Sequence, residues 1–387
     1  MTRGGPQAIV GALQTCEIYD ESKTMSSNSD ATYQKAGVDV DRAGNALKRI
    51  TARLGQTWPQ GGGFGSVALP WGYFANVIDL GGTGCAITTD GVGSKVLIAQ
   101  MMDRYDTIGI DCVAMNVNDL LCVGAKPVSM VEYIGVQDPH PDMLDAISIG
   151  LCEGAQQAEV SIPGGEISQL PEVITGHRAG YGFDLVGMAI GTVALDRVII
   201  GQDLHEGDVI IGIESNGIHS NGLTLARRVL FDQSQHTVDS RPSQLPHTVG
   251  EELLRPTHIY VKEAMEVLDS GVSVKGMIHI TGDGLLNLSR VKATVGFRID
   301  HVPEMMPVFA LIQQAGDISH EEMFTVFNMG IGFCIIVEQN DVDRVLSIVR
   351  SHGKRAMKIG SVIPDEHRRV FITPYDLVGE GKQFSKA

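Results

Sequence analysis

The ten residues at 86–95, AITTDGVGSK, constrain this chain more than any other stretch. An apolar, β-prone run (Cys85, Ala86, Ile87, Thr88, Thr89) stops at Asp90, and a small-residue loop, Gly91-Val92-Gly93-Ser94, leads to Lys95. That order delivers a carboxylate to the end of a strand. Glycines let backbone N–H groups turn toward an anion, and a lysine adds positive charge. Together these groups suit a magnesium-bound polyphosphate, because Mg²⁺ takes one or two carboxylates and completes its shell with phosphate oxygens and water. The plainer alternative is a tight strand-to-helix turn with Asp90 as its cap. The stretch alone does not separate the two.

At 387 residues the chain exceeds one ordinary domain. Turn-rich residues 201–207 predict a boundary, giving an N-terminal domain over 31–200 and a C-terminal α/β domain over 205–387, preceded by a poorly ordered extension at 1–30. A formal charge of -16 argues against nucleic acid or an anionic membrane as partner, but leaves room for a small phosphorylated substrate bound at a local positive site. No apolar run reaches the roughly 18 residues of a membrane span. Residues 1–30 lack the pattern of a signal peptide. Cys16, Cys85, Cys112, Cys122, Cys152 and Cys334 form no CxxC pair and mostly sit in apolar runs, which predicts buried free thiols in a reducing cytosol.

Along the chain, Ala43, Leu47, Ile50 and Leu54 fall on one face of a helix over 41–54. Residues 60–70 (QGGGFGSVALP) read as a glycine turn, and neither a dinucleotide fingerprint nor a Walker loop is present. Ile108, Cys112, Met115 and Leu120 predict a buried helix over 103–125, in which Asn118 and Asp119 stand out. A buried carboxylate needs a partner, so Asp119 is expected to face solvent or a cation. A strand at 127–134 and a helix up to 158 precede Gly164-Gly165-Glu166, a second apolar run ending in a carboxylate. If its strand shares a sheet with that of Asp90, both acids can reach one metal.

A strand at 183–194 closes the first half. The second opens with a strand at 208–213 and the loop Glu214-Ser215-Asn216-Gly217-Ile218-His219-Ser220-Asn221-Gly222 before a helix at 223–230. Two glycines, two asparagines and a histidine at a helix start make an anion site, although a lone histidine is more often structural. A helix with Pro256 near its start is predicted over 255–269, then a strand at 274–280, a short helix at 285–291, helical segments at 306–315 and 323–328 around an acidic turn at Glu321-Glu322, a strand at 332–337, a helix at 341–352 and a last strand at 356–362. The alternation gives the α/β (α+β) class with mixed sheets.

In this order the motifs resemble the phosphoribosylformylglycinamidine cyclo-ligase (aminoimidazole ribonucleotide synthetase) family. The resemblance rests on AGVDVDRAGNAL at 36–47, TDGVGSK at 89–95, DTIGIDCVAMNVNDLLCVGAKP at 106–127, GGE at 164–166, GIHSNG at 217–222, HITGDG at 279–284 and FNMGIGF at 327–333. TDGVGSK and GGE mark only a wider superfamily of ATP-using enzymes; AGVDVDRAGNAL with FNMGIG points to the cyclo-ligase.

The resemblance implies two α/β domains, with the N-terminal sheets of two subunits pairing into a barrel-like homodimer core and ATP lying near the subunit boundary. It implies conversion of formylglycinamidine ribonucleotide and ATP to aminoimidazole ribonucleotide, ADP and phosphate through an iminophosphate. Asp90, Asp119 and Glu166 would hold Mg²⁺. Lys95 and the amides of Gly91, Gly93 and Ser94 would stabilise phosphate charge, with Asn118 and Lys35 also on the nucleotide. His219 would polarise the amide oxygen or shuttle a proton, and Asn221, His279, Thr281 and Asn328 would face the substrate. Three positions depart from the family pattern. Gln34 stands where a lysine is usual, with Lys35 one residue later. Gln169 replaces a second acid after GGE, and Asp283 interrupts a usual triple glycine. The alternatives are a related ATP-dependent kinase or amidotransferase with another acceptor, and a non-catalytic nucleotide-binding subunit.

Overall fold

The computed structural model describes residues 40–387; the extension at 1–30 and Lys35 lie outside them. The first half contains α1 (Val40–Leu54), β1 (Val67–Leu69), β2 (Asn76–Asp79), β3 (Thr83–Gly91), α2 (Lys95–Met102), α3 (Ile108–Cys122), β4 (Lys126–Val136), α4 (Pro141–Ala158), β5 (Gly165–Gln169) and β6 (Phe183–Ala194). Its sheet runs β1-β2-β3-β6-β4-β5, antiparallel except for the parallel β4–β5 pair. Burial alternates residue by residue along β6, so one face is covered by helices and the other is open. Val131, Tyr133 and Met188 project from the open face, 36–42% exposed.

α3 is the axle of this half. All its residues but Asp119 are buried, including Asp111, Asn116 and Asn118. A helix apolar on every side belongs in a core, and any polar residue within it needs a hydrogen-bonding partner.

The second half contains β7 (Val209–Glu214), α5 (Leu223–Arg227), α6 (Val249–Leu253), α7 (Val261–Asp269), β8 (Val274–His279), β9 (Gly296–Ile299), α8 (Pro307–Gly316), α9 (His320–Val326), β10 (Ile331–Val337), α10 (Val342–Ser351), β11 (Ala356–Ile363), β12 (Val370–Ile372), β13 (Leu377–Glu380) and β14 (Gln383–Lys386). Its sheet runs β14-β13-β12-β9-β11-β7-β10-β8, mixed through the parallel β12–β9 pair. β7 and β10 are buried almost throughout and form its centre.

Three expectations are corrected. Residues 255–260 are not helical: α7 begins at Val261, and the residues before it form an extended strap whose backbone bonds to distant side chains. Glu321 and Glu322 lie in the first turn of α9, capped by the Ser319 hydroxyl, where acids favour the helix dipole. The strand at 356–363 is not the last, since β12, β13 and β14 follow. The apolar face expected on α1 is open to solvent, with Leu47, Ile50 and Leu54 45–51% exposed. Of the cysteines, Cys112, Cys122 and Cys334 are buried, Cys85 is partly buried and Cys152 exposed; all five are free thiols, and Cys16 lies outside the described residues.

Candidate active site

β3 carries Asp90 to the edge of the interdomain cleft, where α3 grips its backbone. The Asn116 side chain accepts from the Asp90 N–H at 3.0 Å and donates to its carbonyl at 3.1 Å. The Leu185 carbonyl accepts from Val92 N–H at 3.0 Å, tying the loop to β6. Gly93 turns with φ 70, and Ser94 stands at the N-terminal boundary of α2 without a side-chain capping bond. On the opposite domain α5 starts after Gly222. Ser94 and Thr224 share a hydroxyl hydrogen bond of 2.9 Å across the gap. Residues 90–94 and 220–224, with Met115, enclose a cavity of about 220 Å³.

Asp119 is the one residue of α3 that is not buried. Its carboxylate lies 2.8 Å from His279 Nδ1, so histidine, rather than bulk solvent, is the partner that its position demanded. Burial and the neighbouring Asp119 carboxylate push Asp90 up to about 6, against the opposing pull of the Gly91 N–H and His279. Two carboxylates that repel across a half-buried gap form a natural cation site.

Glu166 does not join them. It lies in β5, with β6 and β4 interposed between β5 and β3, which places it about 14 Å away at ordinary strand spacing. The register pairs Tyr133 with Glu166 and Val186, and Val186 with Gly91, so Glu166 points to the open face while Asp90 points to the helix-covered one. The strand begins at the glycines instead of ending there, which is why the carboxylate is displaced. A hollow of about 620 Å³ on the open face takes in Glu166, Tyr133 and Met188. Among the described residues, no group of three acidic, histidine or cysteine side chains is arranged to hold a metal.

The polar groups of Lys95 and Asn118 are taken up within the protein. Lys95 is fully buried; its Nζ donates to Asp111 Oδ1 at 2.8 Å and to the Arg255 carbonyl at 2.6 Å. Asn118 accepts from Tyr260 N–H at 3.0 Å and donates to the His258 carbonyl at 2.9 Å. Both serve the strap. Sequence reading assigned no role to Asp111, Asn116, Ser220 or Thr257. The available signal was a carboxylate and an amide inside a helix with no exposed face.

His219 sits in the left-handed region, φ 61, which is uncommon outside glycine and marks a position that the surroundings enforce. Its Nε2 accepts from the Asn216 N–H at 2.9 Å and the His258 N–H at 3.4 Å. The ring proton therefore resides on Nδ1, which is buried and has no partner among the described residues. Burial, then His258, His279 and Lys95, holds its pKa well below the usual histidine range. Gly332 is required here, because a Cβ would strike the Tyr260 hydroxyl and the His219 ring.

Asn221 lines the cavity. Asn328 is buried beneath the loop, accepting from Ser215 Oγ at 2.8 Å and Gly330 N–H at 2.9 Å while donating to the Gly217 carbonyl at 3.0 Å. Thr281 donates its N–H to Asn287 at 2.7 Å. Asp283 is neutralised by Arg290 at 2.7 Å.

Both halves of the chain match family models: residues 73–193 the N-terminal domain, and residues 205–373 the C-terminal domain, of AIR synthase related proteins. The molecule is thus a two-domain protein of the AIR synthase related class. A similar backbone occurs in the crystal structure of a HypE–HypF complex (TM-score 0.57, 19% identity, 80% of this chain and 93% of that one), a likeness of fold alone. Phosphoribosylformylglycinamidine cyclo-ligase of Methanothermobacter thermautotrophicus is 46% identical over 331 residues, covering 86% of this chain and 94% of the relative. The Methanobrevibacter smithii protein of the same name is 42% identical, covering 87% and 95%. The chain belongs to the phosphoribosylformylglycinamidine cyclo-ligase family.

Proposed function

We propose that this chain closes the imidazole ring of aminoimidazole ribonucleotide: formylglycinamidine ribonucleotide and ATP give aminoimidazole ribonucleotide, ADP and phosphate, a step of purine biosynthesis. The observation that carries the reading is the 46% identity over nearly the whole of a relative bearing that activity in its name. The amide oxygen of the substrate is a poor leaving group. Transfer of the γ-phosphoryl group to it gives an iminophosphate; the neighbouring amidine nitrogen then attacks the carbon, and phosphate departs with the former amide oxygen.

Phosphoryl transfer depends mainly on position and charge. The Asp90 and Asp119 carboxylates fit Mg²⁺, because they repel one another without a cation between them. When bound, the ion would neutralise phosphate charge. Gly93 and Ser94 amides at the start of α2 meet the anion, as helix N-termini do. His219 is neutral and offers Nδ1–H to the amide oxygen, stabilising charge as it develops there. Asn221 and Thr281 face the substrate; Asn328 and Lys95 hold the loops that do so.

We place a second copy on the open face of the first sheet, forming a homodimer. Val131, Tyr133 and Met188 give that face an apolar surface. Glu166 then lies at the subunit boundary. The test is turnover of purified protein with Mg²⁺, ATP and formylglycinamidine ribonucleotide, following the product by its diazo colour. One phosphate released per ring is the expected result; ATP hydrolysis without ring formation would sink the assignment.

A further inference from the structure

The strap at 255–260 has almost no hydrogen bonds of its own kind. Most of its backbone bonds are to side chains of the other domain. Lys95 Nζ donates to the Arg255 carbonyl at 2.6 Å, and Asp111 Oδ1 accepts from Thr257 N–H at 2.8 Å and from its hydroxyl at 2.6 Å. Asn118 brackets the next turn, donating to the His258 carbonyl at 2.9 Å and accepting from Tyr260 N–H at 3.0 Å. Asp111 also accepts from the Ser220 hydroxyl at 3.1 Å, one residue past His219. Lys95, Asp111 and Asn118 are all fully buried.

Two strap groups bond within their own half: the Pro256 carbonyl accepts from Asn216 Nδ2 at 3.2 Å, and the His258 N–H donates to His219 Nε2 at 3.4 Å. With the Asn216 N–H at 2.9 Å it occupies that nitrogen with donors. A nitrogen that accepts cannot carry the proton of a neutral imidazole. Free histidine in water favours the opposite arrangement, with the proton on Nε2.

We propose that Asp111 and Asn118 are positioning residues: by gripping the strap they hold the His258 N–H against His219 Nε2, and so keep the ring proton on Nδ1, the one donor His219 has for a substrate oxygen. The inference rests on the role given to His219 above, but its readout does not. Neither residue touches the reacting atoms.

Long-range ¹H–¹⁵N spectra of the full chain, labelled with ¹⁵N in its histidine rings, report which nitrogen bears the proton. His219→Ala identifies the signal by its loss. Wild type should show a protonated Nδ1. Asn118→Ala and Asp111→Asn should move the proton toward Nε2, lower kcat about tenfold or more, and leave KM for ATP within about twofold, as expected for misaligned chemistry. Thr257→Val should do the same more weakly, and Thr257→Ser should restore wild-type behaviour. If the Asp111 variant fails to fold, the Asn118 and Thr257 variants decide the matter. Wild type protonated on Nε2, or an unchanged Nδ1–H in the folded strap variants, would overturn the inference. Full activity in His219→Ala would instead overturn the role of His219, leaving the control of its tautomer standing.

Discussion

The two loops that face each other across the cleft are built on opposite principles. Residues 90–94 leave charge unresolved: Asp90 and Asp119 repel, and the Gly93 and Ser94 amides sit open at a helix start. Residues 215–222 resolve nearly everything. Ser215, Asn216, Gly217, His219 and Ser220 all have hydrogen-bonding partners, supplied by Asn328, Pro256, His258 and Asp111. Among this loop's buried side-chain atoms, His219 Nδ1 has no partner among the described residues. The first loop is completed by what binds to it; the second is already in its working geometry. That division suits a reaction in which an ion and phosphates arrive with ATP, while the group that polarises the amide must be ready beforehand.

Breaking the first loop should have the largest effect. Asp90→Asn removes a charge that the polyphosphate site needs, and turnover should fall about 10³-fold without rescue by excess Mg²⁺, measured as product formed under saturating ATP. Breaking the second should cost somewhat less. His219→Ala deletes one hydrogen-bond donor to developing charge, and kcat should drop about 10²–10³-fold with substrate binding retained.

The seam between the loops comes next. Lys95→Met removes the two hydrogen bonds of its Nζ, leaves Asp111 charged and buried, and should lower stability by about 3 kcal/mol in chemical denaturation. Lys95→Met with Asp111→Leu should not recover the loss, because the Thr257 N–H and the Thr257 and Ser220 hydroxyls would then lack their acceptor.

A pH series sharpens the contrast. Asp90 ionises in the folded chain near 6 but at about 3.8 when unfolded. Between those values the folded state holds a proton that the unfolded state has released. This group therefore favours folding at low pH, and its contribution declines as pH rises through the window. Without Mg²⁺, Asp90→Asn should be more stable than wild type at pH 7 by roughly 2–3 kcal/mol, with the difference vanishing below about pH 4. Mg²⁺ affinity, read by calorimetry, should fall as pH drops below about 6, because the proton competes for the same oxygen.

The smallest effect belongs to Asp283. It is half-exposed and paired with Arg290, so its charge does not confront a substrate phosphate. Asp283→Gly, which restores the usual triple glycine, should change KM for the ribonucleotide less than about threefold and stability by less than about 1 kcal/mol. A much larger gain in affinity would mean that the side chain turns into the cleft when substrate binds.

Legibility followed the range of the interactions. β6 spans Phe183–Ala194 as expected, and α3 follows its apolar periodicity, because such local patterns report on neighbours a few residues away. The strap was misread as helix because Pro256 suits a helix start. Its true partners lie 140–160 residues earlier, and nothing local hints at them. Glu166 was misplaced for a related reason. Sharing a sheet with Asp90 was correct, but strand order and side-chain face depend on the whole sheet.

The sequence alone was enough for the two α/β halves, the glycine loop with its carboxylate, the histidine loop and the family they resemble, since each is written in short contiguous motifs. Tertiary structure decided which of those groups face the cleft. It turned Lys95 and Asn118 inward to the strap, set Asp119 against His279 and left His219 with a single free donor. The reason is physical: a buried polar group takes whichever partner the packing brings within about 3 Å, and that partner comes from the fold, not from the chain nearby.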